Sequence, residues 1–222
     1  MPGYFQYFSF GLDGYIDRLL TRVRDQVVRT FLATFQPTAA HTVLDIGASA
    51  DEHPASNLLE KRYPYPSRIC ALALDHLPAL RQQFPRIRLV RGDARALPFA
   101  AESFDLVYCH AVIEHLGARE KQAAFLVEAL RVARRGVLVT TPNRWHPIES
   151  HTGLPFLHWL PAPVHHRCYQ LLGRSAYASE DRLNLLGAQD LAAVVPAGQP
   201  YTLDRVRWLG VTSNLLLILR KN

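Results

Sequence analysis

A chain of 222 residues, 49% hydrophobic and 20% charged, can bury one sizeable core, and its 15 prolines and 12 glycines fall short of a low-complexity or collagen-like composition. The formal charge of +6 comes from 25 basic against 19 acidic residues, with the arginines spread in ones and twos, which reads as a solvated surface and not as a nucleic-acid stripe. Cys70, Cys109 and Cys168 stand far apart with no CxxC pair, and no apolar run reaches the roughly 20 residues of a membrane span, so neither a disulfide framework nor a transmembrane segment is expected, and a soluble, cytoplasmic protein is.

One domain is expected, in four stretches. Residues 1–40 hold an aromatic arm (Tyr4, Phe5, Tyr7, Phe8, Phe10) and then a helix over Asp13–Phe35. There Ile16, Leu19, Leu20, Val23, Val27, Val28, Phe31 and Leu32 recur at helical period, and Pro37 ends the run. Residues 41–143 alternate short apolar runs with helical stretches: Thr42–Ile46, Ile69–Leu74, Ile87–Val90, Phe104–Cys109 and Val137–Thr141. Such alternation predicts βαβ units and a mostly parallel sheet covered on both faces. Residues 144–199 form an insertion over the core, crowded at first with Pro, His and aromatics. Residues 200–222 carry two runs, Tyr201–Leu209 and Asn214–Leu219, that predict an antiparallel pair closing the sheet.

Ligands of open α/β sheets bind at the carboxyl ends of the strands, so the residues ending the apolar runs are the candidates. They are Asp45-Ile46-Gly47-Ala48-Ser49, Asp75-His76, Gly92-Asp93-Ala94 and His110. The first loop lacks the GxGxxG phosphate fingerprint: only Gly47 stands in place, Ser49 takes the second glycine position, and Asp51 and Glu52 bring negative charge to where a phosphate would lie. That argues against NAD or ATP. An adenosine without phosphate and with positive charge, as in S-adenosylmethionine, meets no such repulsion.

These residues resemble the class I S-adenosylmethionine-dependent methyltransferases over roughly Val43 to Asn143. The resemblance implies an α/β fold, a doubly wound, mostly parallel seven-stranded sheet with an antiparallel closing strand. Val43-Leu44-Asp45-Ile46-Gly47 is similar to the first motif, which places Asp45, Gly47, Ala48 and Ser49 near the methionine part of the cofactor. Asp75 matches the carboxylate that holds both ribose hydroxyls, with His76 beside it, and Gly92-Asp93-Ala94-Arg95-Ala96-Leu97-Pro98-Phe99 is similar to the segment in which the aspartate accepts from the adenine amino group and the following backbone NH reaches the ring. Ser103–His110 and Val112–Leu116 resemble the fourth strand and the helix after it, with Glu114 and His115 on that helix.

Other roles stay open beside these. Asp45 can order its loop through backbone NH groups, and Asp93 can serve as a turn residue. His110, where acceptors sit in this family, can act as a general base, or only line the pocket or touch the cofactor. Cys109-His110-Ala111-Val112 stands where amino-group methylating enzymes carry [DN]PP[YF], which speaks against an adenine or glutamine amide acceptor. Glu114 and His115 read as capping or packing groups.

In the insertion, Trp145, Phe156 and Trp159 are expected to form an apolar wall, with His146, Glu149 and His151 facing the pocket. Their spacing is not HExxH and Pro147 interrupts it, so no metal is expected. His165 and His166 are expected at the surface and Cys168 in the core. The expected function is methyl transfer to a small-molecule, lipid or sugar acceptor, an oxygen preferred, with no nucleic-acid partner. The rivals are a non-catalytic partner of the same fold, an RNA methyltransferase and a nicotinamide oxidoreductase.

Overall fold

The structure is a computed structural model that describes residues 13–49, 53, 55–74, 78–208 and 210–221, the side chains of 13–17 and 19 apart. The aromatic arm at residues 4–10 lies outside the described residues.

Helix α1 (Asp13–Phe35) follows its sequence periodicity. Val27, Val28, Phe31 and Phe35 form its buried stripe. Phe31 meets Phe35 at 5.5 Å and Tyr108 at 5.3 Å, both edge-on, and these contacts seat the helix on one sheet face.

Seven strands make one sheet: β1 (Val43–Ile46), β2 (Ile69–Ala73), β3 (Arg88–Arg91), β4 (Phe104–His110), β5 (Ala133–Pro142), β6 (Tyr201–Trp208) and β7 (Val211–Arg220), in the order β3-β2-β1-β4-β5-β7-β6. Strands β1 to β5 pair in parallel, and β7 runs antiparallel to both β5 and β6. The expected doubly wound sheet with its antiparallel closing strand is therefore present. Helices α2 (Leu58–Arg62), α3 (Pro78–Gln83), α4 (Arg119–Val132), α5 (Ala162–Leu171) and α6 (Ala188–Ala193) complete the described α-helices.

The apolar runs of the inner strands have a packing reason. Leu44, Ile46, Val107, Cys109, Val137 and Val139 point into one core, shared with Phe125, Leu126 and Ala129 of α4. Val43, Leu106, Tyr108 and Leu138 point into the other, under α1 and α2. Both faces are covered, so strict polar alternation has no place there. Leu186, Leu191 and Val194 join the first core, which returns the end of the 144–199 segment to the sheet.

Two expectations need correction. Strand β5 begins at Ala133 and not at Val137, because Arg134 and Arg135 are exposed at its start and hide the strand from a hydrophobic pattern. At Gly136 a Cβ would lie 2.5 Å from the Phe35 ring and 2.8 Å from the Leu219 carbonyl oxygen, so only glycine lets β5 pass there. Cys168 is half-buried, and its neighbour Tyr169 occupies the buried position of α5. Among the described residues no helix is long and apolar enough to cross a membrane.

Candidate active site

Strand order reverses at β1, which has β2 on one side and β4 on the other, so a crevice opens beyond the carboxyl ends of β1 and β4. The loop after β1 is drawn across it. The Gly47 and Ala48 NH groups both donate to the Leu72 carbonyl of β2, at 2.9 and 3.1 Å. The Ser49 NH donates to Asn57 Oδ1 at 3.1 Å, while Asn57 Nδ2 donates back to the Ser49 carbonyl at 2.9 Å. Three successive NH groups are thus consumed inside the protein. A phosphate-binding loop works by leaving such groups free, so among the described residues of this loop, 47–49 offer no anion cradle.

Gly47 has φ +103°, and a Cβ there would overlap Val112 Cγ2 in the loop after β4. The glycine is required twice over, by backbone conformation and by close approach. Ala48 is buried beside it. Asn57 was not singled out by the sequence; its signal is its own left-handed backbone (φ 52°), which asparagine tolerates better than most residues. Ala111 is left-handed as well, at φ 54°, and turns the chain sharply after His110.

Asp45 is buried on β1. Burial pushes its carboxyl well above the usual carboxylate range, and the neighbouring Glu60 of α2 reinforces the shift. Asp75 and His76 lie outside the described residues, as do Asp51 and Glu52. Asp93 is engaged by Arg95, whose guanidinium donates to both carboxylate oxygens and whose backbone NH donates at 2.9 Å. The Arg95 contacts outweigh partial burial and lower its pKa. Ala94 beside it is buried in the first core.

His110 ends β4 at the crevice. The residue is half-buried, yet its Nδ1 is enclosed with no hydrogen-bond partner in the protein. Burial, assisted by the Arg24 guanidinium, pushes the imidazole down to about 3, so it is neutral at pH 7. Arg24 reads from sequence as one of many surface arginines. It is half-buried instead, and donates to the Ala55 carbonyl at 2.9 Å.

Beyond His110, Glu114 and His115 lie in a single 3-10 turn (Ile113–His115) and not in the helix expected there, because left-handed Gly117 (φ 82°) breaks the run and α4 begins only at Arg119. Glu114 is completely buried, accepts from Thr141 Oγ1 at 3.0 Å, and is pushed up by burial to about 6. His115 and His151 meet edge-on at 4.7 Å between ring centres. Burial and then His151 bring His115 down to about 4. Burial opposes charge on His151, but Glu149 outweighs it and holds His151 above its ordinary value. The three residues His146, Glu149 and His151 do not act together, because His146 turns to Ile148 while Glu149 and His151 join Glu114 and His115. Trp145, Phe156 and Trp159 are 59%, 54% and 41% exposed, so they do not form an enclosed wall. A polar groove of about 540 Å³ lined by Gln26, Leu203, Asp204, Arg205 and Arg207 lies along β6, away from the carboxyl ends of β1 and β4.

The sheet order and the glycine-gated loop at its switch point define a class I S-adenosylmethionine-dependent methyltransferase fold. Residues 44–140 match the family described as "Methyltransferase domain". S-adenosylmethionine is the cofactor of this class. A Mycolicibacterium smegmatis protein named "Probable S-adenosylmethionine-dependent methyltransferase" is 42% identical over 67 residues, which are 29% of this chain and 25% of that relative. The match thus spans a quarter of the relative's length.

Among solved structures, the Burkholderia thailandensis 1,6-didemethyltoxoflavin-N1-methyltransferase with bound 1,6-didemethyltoxoflavin and S-adenosylhomocysteine superposes with a TM-score of 0.59 at 18% identity, covering 95% of this chain and 82% of that one. A Pyrococcus horikoshii protein gives 0.60 at 13% identity, over 90% and 91% of the two chains. A Methanosarcina mazei S-adenosylmethionine-dependent methyltransferase gives 0.53 at 11%, over 83% and 94%. At these identities the likeness is one of fold.

Two measurements check the geometry. Gly47→Ala should lower unfolding stability by about 1–3 kcal/mol, and the double variant Gly47→Ala/Val112→Ala should lose less than the two single losses together. Strictly additive losses in denaturant titrations would show that the two loops do not touch. His110 bears on pH: between its ordinary pKa of 6.5 and about 3 the unfolded chain binds a proton that the native chain refuses, so stability falls as pH drops. From about pH 7 to pH 5 the wild type should lose about 2 kcal/mol more than His110→Gln, and parallel curves for the two proteins would rule out a depressed imidazole.

Proposed function

We propose that this chain transfers a methyl group from S-adenosylmethionine to a small-molecule, lipid or sugar acceptor, with an oxygen as the preferred acceptor atom, and that it works in the cytoplasm. One observation carries the reading: the loop after β1 crosses the switch point with its NH groups consumed, beside a His110 Nδ1 that is enclosed and unpartnered. A cradle closed to phosphate and an orphaned polar atom facing the strand ends suit a nucleoside without phosphates. Cys70 and Cys109, buried as free thiols, support a reducing compartment.

Gly47, Ala48 and Ser49 would hold the methionine part, Asp75 the ribose hydroxyls, and Asp93, Ala94 and His76 the adenosine end. Asp93 has one carboxylate for two tasks, since Arg95 already occupies it; the adenine amino group would share it as a further donor. When bound, the cofactor supplies a methyl group activated by its sulfonium, so the protein's work is alignment of the acceptor and exclusion of water.

His110 fits that work as a neutral hydrogen-bond acceptor that orients a hydroxyl. A pKa of about 3 makes it a poor proton acceptor near neutrality, which argues for positioning over general-base action. The uncharged imidazole and the consumed loop NH groups also count against a polyanionic RNA acceptor, which needs exposed cations along its path.

The ribose assignment gives the test. In calorimetric titration with S-adenosylhomocysteine, Asp75→Ala should weaken binding by about 1–3 kcal/mol, the scale of hydrogen bonds to a charged group. Unchanged affinity would remove Asp75 from the site. Failure of the wild type to bind would favour the non-catalytic reading of the fold.

A further inference from the structure

The cluster beyond His110 contains a hydrogen-bonding contradiction. His115 Nδ1 lies 2.8 Å from the Arg182 carbonyl oxygen, which can only accept, so Nδ1 carries the hydrogen and Nε2 presents a lone pair. His151 Nδ1 lies 2.8 Å from Glu149 Oε1, a carboxylate that also takes NH donors from His151 and Thr152, so the His151 hydrogen sits on Nδ1 as well. Yet the two Nε2 atoms face each other at 3.1 Å. Two lone pairs do not approach so closely unless a cation lies between them.

A proton shared between the rings would answer that contact alone. It would leave Glu114 Oε1 unanswered: this oxygen is buried, has no hydrogen-bond partner, and stands 3.7 Å from His151 Nε2. The carboxylate oxygen and the two imidazole nitrogens all lie within 4.8 Å of one another. A divalent ion that draws the three atoms within the roughly 4.2 Å spanned by two bonds of about 2.1 Å would satisfy all three at once. With metal–nitrogen bonds of about 2.1 Å, two nitrogens at octahedral to tetrahedral angles are about 3.0–3.4 Å apart, which brackets the observed separation.

We propose that Glu114, His115 and His151 form a binding site for one divalent first-row transition ion, of which Zn²⁺ is the representative for a two-imidazole, one-carboxylate donor set. Glu149 and the Arg182 carbonyl orient the two imidazoles from behind, the arrangement that fixes the tautomer of metal-binding histidines. Glu114 and His115 come from the turn after β4 and His151 from the segment after β5, so the ion would tie the insertion to the core. Three protein ligands leave a coordination position open. On the methyltransferase reading above, an acceptor oxygen would take that position, whereas binding of the ion does not depend on that reading.

The test uses the full chain, stripped with a chelator and dialysed, then titrated with ZnCl₂ by calorimetry and with CoCl₂ by visible absorption. One ion should bind per chain, with cobalt bands of nitrogen and oxygen ligation. Glu114→Gln, which keeps the side-chain volume, and His151→Ala should each weaken binding at least about tenfold, whereas His165→Ala, in the half-buried histidine pair of α5, should leave it unchanged. The cobalt spectrum of the wild type remains decisive even if His151→Ala fails to fold. No saturable uptake of either ion would show that only a proton is shared there, and uptake indifferent to the ligand substitutions would place the ion elsewhere; either overturns the proposal. A chain that takes Zn²⁺ but does not bind S-adenosylhomocysteine would contradict the methyltransferase reading while leaving the ion site standing.

Discussion

Close approach of the Gly47 backbone to the Val112 side chain sets the geometry of the crevice. The chain leaving β1 passes Val112, in the loop leaving β4, so closely that position 47 has no room for a side chain. From there each part of the site takes its position. The Leu72 carbonyl gathers the Gly47 and Ala48 NH groups, Asn57 fastens Ser49, and Ala111 bends the chain so that Val112 meets the glycine. A left-handed alanine costs of order 1 kcal/mol, a strain tolerated where the surrounding structure fixes the backbone.

The same contact explains the electrostatic character of the crevice. Phosphate loops of related sheets keep NH groups free at a helix N-terminus. Here the NH groups of residues 47–49 are spent, and two buried carboxyl side chains, Asp45 and Glu60, are packed next to each other. His110 is held neutral by burial and by Arg24, so the mouth supplies no mobile positive charge of its own from that residue. The arrangement disfavours a diphosphate for want of free donors at residues 47–49, and the acidic Asp45 and Glu60 offset the Arg24 guanidinium that lies among them.

Much of the sheet was legible because β1, β2, β4 and β7 are buried on both faces and therefore read as short apolar runs bounded by turns. The start of β5 was hidden by Arg134 and Arg135, whose side chains reach solvent from a paired backbone. In the site, Gly47 was visible as the one glycine after a strand-ending acid. Asn57, Ala111 and Arg24 were not, because their roles depend on backbone angle and on a helix docking from far along the chain. The Glu114–His151 assembly was beyond local reading for another reason. Parallel pairing of β4 with β5 sets His110 opposite Thr140, which brings the turn after one strand beside the segment after the other, although 37 residues separate Glu114 from His151.

The most direct measurement is a pair of calorimetric titrations on the same preparation, one with S-adenosylhomocysteine and one with ADP. A crevice whose loop NH groups are already consumed should bind the phosphate-free nucleoside at one site per chain and give no heat with the diphosphate. Saturable binding of ADP, with S-adenosylhomocysteine silent, would contradict the account at its foundation.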